Sequence, residues 1–316
     1  MENVELQGLL EQAGADAWGV APCTDVAEED ARLYEEWVAS GKHGEMKYLE
    51  SWPEIRRRPG LLLEGARSII CAAFSYYNPE NRGEGGLRWA RYALGTDYHD
   101  EIRRRLSEAA KAITEKTGAE CRVCVDTAPL RERLWAERAG VGYIGKNGLL
   151  IVPGAGSWCV LGFILTGHEF SPTPAEPRSC LGCGRCVRAC PGQALDGRGG
   201  IDARRCRSYL TIEYRGSEMP RLTGGRVYGC DICQEVCPHN RYAPTTRTEA
   251  FWPRPGVLGL TLGKIAEMTQ EEFSALFRGS AVKRTKLAGL RRNAAAAEPG
   301  EGDAGDDAKT RDNLGE

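Results

Sequence analysis

The chain has 316 residues, 41% of them hydrophobic and 27% charged, with a net charge of −2 at pH 7; that is an ordinary balance for a folded protein of one large or two to three small domains. No apolar run approaches the ~18 residues of a membrane span. An odd 13 cysteines behind a start without a basic leader argue against a secreted disulfide framework, so a cytoplasmic protein is expected.

The apolar spacing of Val4, Leu6, Leu9, Leu10 and Ala13 predicts a helix over 4–14 ended by Gly14, and 17–21 reads as a short strand. A helix over 27–40 leads into the loop at 41–48. The β-branched, apolar run 68–76 predicts a buried strand, and 100–117 an amphipathic helix stopped by Gly118. Residues 121–125 read as a strand whose end delivers Asp126. A helix over 131–139, a glycine-rich turn over 140–148 and strands at 149–152 and 158–166 complete an N-terminal domain, 1–168. Its alternating helices and strands suggest α/β character within an α+β chain. The Pro-rich link Ser171-Pro-Thr-Pro-Ala-Glu-Pro177 marks a boundary. A cysteine-rich module, 169–243, follows, then a short helical region, 244–293, with helices at 271–277 and 282–297. Residues 294–316 carry seven acidic and two basic residues and read as a disordered acidic tail.

Eight cysteines fall between Cys180 and Cys237. The run Cys180-Leu-Gly-Cys183-Gly-Arg-Cys186-Val-Arg-Ala-Cys190-Pro191 has the C-x2-C-x2-C-x3-C-P spacing of two-cluster ferredoxins, in which the fourth Cys ligates the other cluster. Cys206 and Cys230-Asp-Ile-Cys233-Gln-Glu-Val-Cys237-Pro238 supply the remainder. Three thiolates two residues apart can wrap a cuboidal cluster, and the prolines turn the chain away after the last ligand. By the ferredoxin pattern, Cys180, Cys183 and Cys186 take Cys237 as fourth ligand, and Cys190 joins Cys206, Cys230 and Cys233. Two [4Fe–4S] clusters are therefore expected. C-x2-C pairs also ligate zinc, but zinc does not call for the doubled Cys-Pro pattern.

Outside the module, Asp126 in Val125-Asp126-Thr-Ala-Pro129 reads on pattern alone as a turn or N-cap residue ahead of a catalytic acid. Gly140-Val-Gly-Tyr-Ile-Gly145 fits G-x-G-x-x-G but follows a helix and precedes a strand, the wrong context for a dinucleotide site. Cys121 and Cys124 would point to opposite faces of one strand, as core residues do. His43, His99, His168 and His239 show no metal-ligand spacing, and a capping role is read for His99. Basic residues bunch at 56–58, at 103–105, at Arg204, Arg205 and Arg207, and at Lys283 and Arg284 with Lys286, Arg291 and Arg292. Such runs are more often solvated faces than phosphate sites.

Together these segments resemble the epoxyqueuosine reductases, cobalamin-dependent iron–sulfur enzymes that complete queuosine at the wobble position of tRNA. The matching stretches include Gly41-Lys-His-Gly-Glu-Met-Lys-Tyr-Leu49, Arg91-Tyr-Ala-Leu-Gly-Thr-Asp-Tyr-His99, Asp126-Thr-Ala-Pro129, Ala139-Gly-Val-Gly-Tyr-Ile-Gly-Lys-Asn147, Arg205-Cys-Arg-Ser-Tyr-Leu-Thr-Ile-Glu213 and Tyr228-Gly-Cys-Asp-Ile-Cys-Gln-Glu-Val-Cys-Pro-His-Asn240. The resemblance implies a base-off cobalamin held between the N-terminal domain and the cluster module. It makes Asp126 the proton donor, kept protonated by a partly apolar pocket, which reverses the pattern-only reading. Arg56, Arg57, Tyr92, Lys146, Ser208, Thr211 and Asp231 fall in stretches that match the family's corrin-binding segments. Arg204, Arg205, Arg207, Lys283 and Arg284 become candidate contacts to a tRNA anticodon stem-loop carrying epoxyqueuosine. An external low-potential electron donor, a monomer and no membrane contact are expected. The competing readings are a cobalamin-dependent reductive dehalogenase of small organohalides and a ferredoxin-type electron carrier.

Overall fold

The computed structural model describes residues 1–297 apart from 81, 82, 84, 85, 177 and 221. The N-terminal part runs α1 (Asn3–Gln12), β1 (Ala17–Pro22), α2 (Glu28–Ala39), α3 (Pro53–Arg57), β2 (Ser68–Ser75), β3 (Arg88–Trp89), α4 (Tyr98–Thr117), β4 (Cys121–Cys124), α5 (Glu132–Arg138), β5 (Tyr143–Ile144), β6 (Leu150–Ile151) and β7 (Cys159–Thr166). Four of the strands form one sheet in the order β1-β2-β7-β4. Every residue of β2 is buried, because helices cover both faces. Ile70, Ala72 and Phe74 point into a core shared with Leu6 and Leu10 of α1 and Ile102, Leu106 and Ile113 of α4. The alternate residues Ile69, Cys71 and Ala73 point into a second core with Ala31 of α2 and Trp135 and Ala136 of α5, as a period of two demands. All three pairings in the sheet are antiparallel. The α+β class therefore holds, and the α/β character expected of the N-terminal part is corrected: alternation of helices and strands does not fix strand direction.

Close approach makes one glycine indispensable. A Cβ on Gly19 of β1 would lie 1.9 Å from the Ala139 carbonyl oxygen at the end of α5. Gly19→Ala is therefore expected to cost about 1–3 kcal/mol as the helix is pushed off the sheet. A variant that melts at the wild-type temperature would refute that packing.

The Pro-rich link is tied to the sheet. The Thr173 N–H donates to the Val20 carbonyl at 2.9 Å, and the Val20 N–H donates to Thr173 Oγ1 at 3.0 Å. The link thus satisfies part of the outer edge of β1, which would otherwise be open to pairing.

Beyond it come α6 (Arg185–Ala189), α7 (Arg207–Ile212), β8 (Arg226–Tyr228), α8 (Ile232–Glu235), α9 (Leu262–Glu267), α10 (Gln270–Leu276) and α11 (Lys286–Ala296). A third core joins Val227, Ile265, Phe273, Phe277 and Leu290 to Leu87, Trp89 and Leu94 from the N-terminal part. Within it β3 pairs in parallel with β8, so residues 87–94 cross into the C-terminal half. The helix expected over 282–297 is broken: a 3-10 turn over Ala281–Thr285 precedes α11, whose first residue, Lys286, has φ 61°. Residues 294–297, expected in the tail, are ordered, with Ala294 and Ala297 buried in the third core. The rest of that tail, 298–316, lies outside the described residues. Among the described residues no helix is long and apolar enough to cross a membrane.

Candidate active site

Asp97 caps α4, its Oδ1 accepting the His99 N–H at 3.1 Å. Gly118 ends the helix in the left-handed conformation and the chain turns back as β4. Extended residues advance about 3.3 Å each against about 1.5 Å in a helix, so the short run from Gly118 to Asp126 retraces the whole of α4. The strand end meets the helix start. Asp126 Oδ2 lies 2.9 Å from His99 Nε2, and His99 Nδ1 lies 2.6 Å from Asp97 Oδ1. The Tyr98 ring stacks on the imidazole with centroids 4.1 Å apart. Asp126 itself has φ 52°, a conformation that Asp tolerates better than most residues. Its N–H is secured by Glu132 Oε1 at 2.6 Å.

The electrostatics follow from this crowding. Burial disfavours a charged His99, but hydrogen bonds to Asp126 and Asp97 outweigh it and lift the imidazole pKa to about 9. The contact therefore contributes stability fully below the ordinary histidine value of about 6.5, and that contribution is lost as pH rises through about 9. Burial alone would raise Asp97, yet the His99 hydrogen bond and charge hold it below the usual carboxylate range. Glu132 is pushed up to about 8 by burial and then by the Asp126 charge. The Asp126 side chain is 54% exposed and bonded to His99. The partly apolar pocket expected to keep it protonated is thus corrected to a polar, open setting.

Two elements from the C-terminal half reach the same place. Arg284 lies over the Tyr48 ring at 5.6 Å and pairs with Glu213 at 2.9 Å. Burial raises the Tyr48 hydroxyl to about 12, and the charges of Glu213, Arg284 and Asp126 all bear on it. Arg133 is exposed, yet desolvation holds its guanidinium below the usual value. Its guanidinium donates to the Gly148 carbonyl.

The eight module thiols gather in two sets. Burial pushes Cys237 up, and the nearby Cys180, Cys186 and Cys183 push it further. Cys233 is raised by burial and then by Cys230, Cys206 and, beyond the Asp231 carboxylate, Cys190. Cys180, Cys183, Cys186 and Cys237 line one small cavity, closed by Lys146, Asn147, Leu181 and His239. Among the described residues no group of three or more His, Cys, Asp or Glu side chains is drawn together as a single ion requires.

The other residues singled out in the sequence have defined surroundings. Arg56 donates to the Tyr48 and Ser51 carbonyls and lies over Tyr34. Arg57 is held by Glu35 and Glu28. Tyr92 packs edge-on to Tyr98 and tilted against Tyr228. Lys146 reaches the Gly182 carbonyl at 3.4 Å. Thr211 is buried, its hydroxyl donating to the Arg207 and Ser208 carbonyls and accepting the Gly229 N–H. Asp231 is buried and accepts the Arg91 N–H at 2.8 Å. Arg204 pairs with Asp202, Arg205 donates to the Gly192 carbonyl, Arg207 opens α7, and Lys283 is exposed. What the sequence reading missed is His99, taken for a cap. The cap is Asp97, and the signal was a His two residues into a helix whose following strand ends in Asp.

Comparison with known proteins brings these features under one heading. Residues 56–127 match the family model "Epoxyqueuosine reductase QueG, DUF1730", and residues 179–240 match a 4Fe-4S double cluster binding domain. An epoxyqueuosine reductase of Gloeobacter violaceus is 40% identical over 297 residues, covering 90% of this chain and 92% of the relative. The structure of the epoxyqueuosine reductase from Streptococcus thermophilus superposes with a TM-score of 0.81 at 30% identity, over 92% of this chain and 79% of that one. An epoxyqueuosine reductase crystallised with an epoxyqueuosine-modified tRNA-Tyr stem loop gives 0.80 at 27% identity, with coverage of 92% and 79%.

Proposed function

Because the chain belongs to the epoxyqueuosine reductase family, we propose that it reduces epoxyqueuosine to queuosine at the wobble position of tRNA anticodons, using two [4Fe–4S] clusters, a base-off cobalamin and Asp126 as proton donor. The observation that carries the chemistry is the meeting of Asp126 with His99 and Asp97, near charges from both halves of the chain. Neither the dehalogenase nor the carrier reading is favoured by the relatives.

The residues present fit the two clusters. Eight thiols stand in two sets of four, and the buried Asn147 Nδ2, which has no hydrogen-bond partner, lines the first of them. A cobalamin would lie beside Asp126, where Tyr48 of the N-terminal part meets Glu213 and Arg284 of the C-terminal half. His99 has both ring nitrogens engaged by carboxylates, which leaves it no lone pair with which to ligate a metal. Tyr92, Lys146 and Ser208 are the residues we assign to holding that cofactor. When bound, cobalamin supplies reduction at carbon by low-valent cobalt. The protein's own part is to orient the modified base, to limit water and to deliver protons to the departing oxygen.

The deciding experiment is anaerobic reconstitution with iron, sulfide and cobalamin, then assay on a stem-loop bearing epoxyqueuosine. Failure to form queuosine with both cofactors loaded would defeat the reading. Stem-loop binding should weaken steeply with salt, by a slope of about 0.7 per phosphate contacted. Lys283→Ala should lower that slope by about one contact without altering turnover at saturation; an unchanged slope would remove Lys283 from the interface.

A further inference from the structure

The reaction proposed above consumes two protons, and both go to one atom. Two C–O bonds of the epoxide break and a C=C bond forms. Two electrons enter from the clusters, fed by an external one-electron donor, and the oxygen leaves as water. A single carboxylic acid has one proton to give. After the first transfer, Asp126 faces a bound hydroxyl as a carboxylate and must be reloaded before hydroxide can leave as water.

We propose that His99, held between Asp97 and Asp126, is the proton store that reloads Asp126 for the second transfer. The proposal rests on the functional reading above. Its geometry is direct: Nε2 stands 2.9 Å from Asp126 Oδ2, and Nδ1 stands 2.6 Å from Asp97 Oδ1. Asp97 fixes the ring's orientation and stabilises the imidazolium, as a buried carboxylate behind a catalytic histidine does. Asp97 in turn is held as the N-cap of α4, so the pair is anchored to a long helix while Asp126 rides on a turn at φ 52°.

The groups facing His99 come from every element around it. Asp97 and Tyr98 belong to its own helix start, Asp126 and Glu132 to the turn after β4 and the start of α5, and Arg254, near Asp97, to the C-terminal half. The negative groups prevail, and His99 stays charged up to about pH 9. Glu132 is bonded to the Asp126 N–H rather than to its carboxylate, so it steadies the turn. His99 acts on substrate only through Asp126 and is therefore a positioning residue.

The test uses the reconstituted holoenzyme and the epoxyqueuosine stem-loop. His99→Gln keeps a hydrogen-bonding side chain without an ionisable proton. It should lower kcat by about 10²-fold or more while KM for the stem-loop changes little, and it should abolish the fall of wild-type kcat near pH 9. Imidazole added to His99→Ala should restore turnover in proportion to the imidazolium present. Histidine NMR gives a readout independent of activity, since the chain has only four histidines. The His99 resonance, identified by its loss in His99→Gln, should titrate near pH 9 and fall towards 6.5 in Asp97→Asn. Wild-type kcat and alkaline limb in His99→Gln would overturn the proposal. So would loss of turnover in both variants with no imidazole rescue and intact stem-loop binding, which marks a structural role. A wild-type enzyme that makes no queuosine would instead sink the functional reading, while the NMR titration still reports on the triad.

Discussion

Asp126→Asn should lower turnover by about 10²–10⁴-fold while iron content, cobalamin binding and stem-loop affinity stay at wild-type levels. Asn matches Asp in size and also tolerates the left-handed backbone that φ 52° imposes at this turn. It can still meet His99 across 2.9 Å, and the Glu132 bond to the backbone N–H is untouched. What it lacks is a transferable proton. Ala at the same place would mix loss of the acid with strain and is a poorer probe. The substitution should also leave a mark on its neighbours. The hydrogen bond to Asp126 is the largest influence favouring a charged His99, so the imidazole pKa should drop from about 9. Glu132, lifted to about 8 by burial and then by the Asp126 charge, should fall as well. Full turnover in Asp126→Asn would remove it as the acid and with it the route by which His99 reaches the substrate.

The difference between Asp126 and His99 shows what a sequence can and cannot display. Seven of the eight module thiols, all but Cys206, are legible in local spacing, and the buried β2 is legible as a strand-length, β-branched apolar run. His99 is not: its partner across the site is set by the length of α4 against the length of the returning strand, a tertiary quantity. The same holds for the sheet, where helix–strand alternation left strand direction open and the chain chose antiparallel pairing. Residues 87–94 carry a strand of only two residues, too short for any period, so their pairing with β8 left no trace. Ala294-Ala295-Ala296-Ala297 reads as the start of a low-complexity tail, yet Ala294 and Ala297 are small enough to pack in the third core and end α11 there. Charged residues are visible in the sequence but their commitments are not. Arg57 is spent on two glutamates of α2 and Asp231 on the Arg91 backbone.

Cys206 is where a remote residue should matter most. It stands alone in the sequence, between the turn Ala203–Arg205 and α7, and its thiol shares an electrostatic neighbourhood with Cys190 and Cys233. If it completes the second set, Cys206→Ala should cost about half of the iron and the signal of one cluster, and turnover should fall below detection because electrons no longer reach the cofactor. The loss should spread along the chain. Cys206 is the N-cap residue of α7, Thr211 near the end of that helix accepts the Gly229 N–H, and Gly229 directly precedes Cys230. A slack Cys206 therefore loosens the turn that presents Cys230. Cys121→Ala is the control: that thiol sits half-buried on β4, away from both sets, and its removal should leave both clusters in place. Full iron content and turnover in Cys206→Ala would mean that a different group closes the second set, and the electron path would have to be redrawn around it.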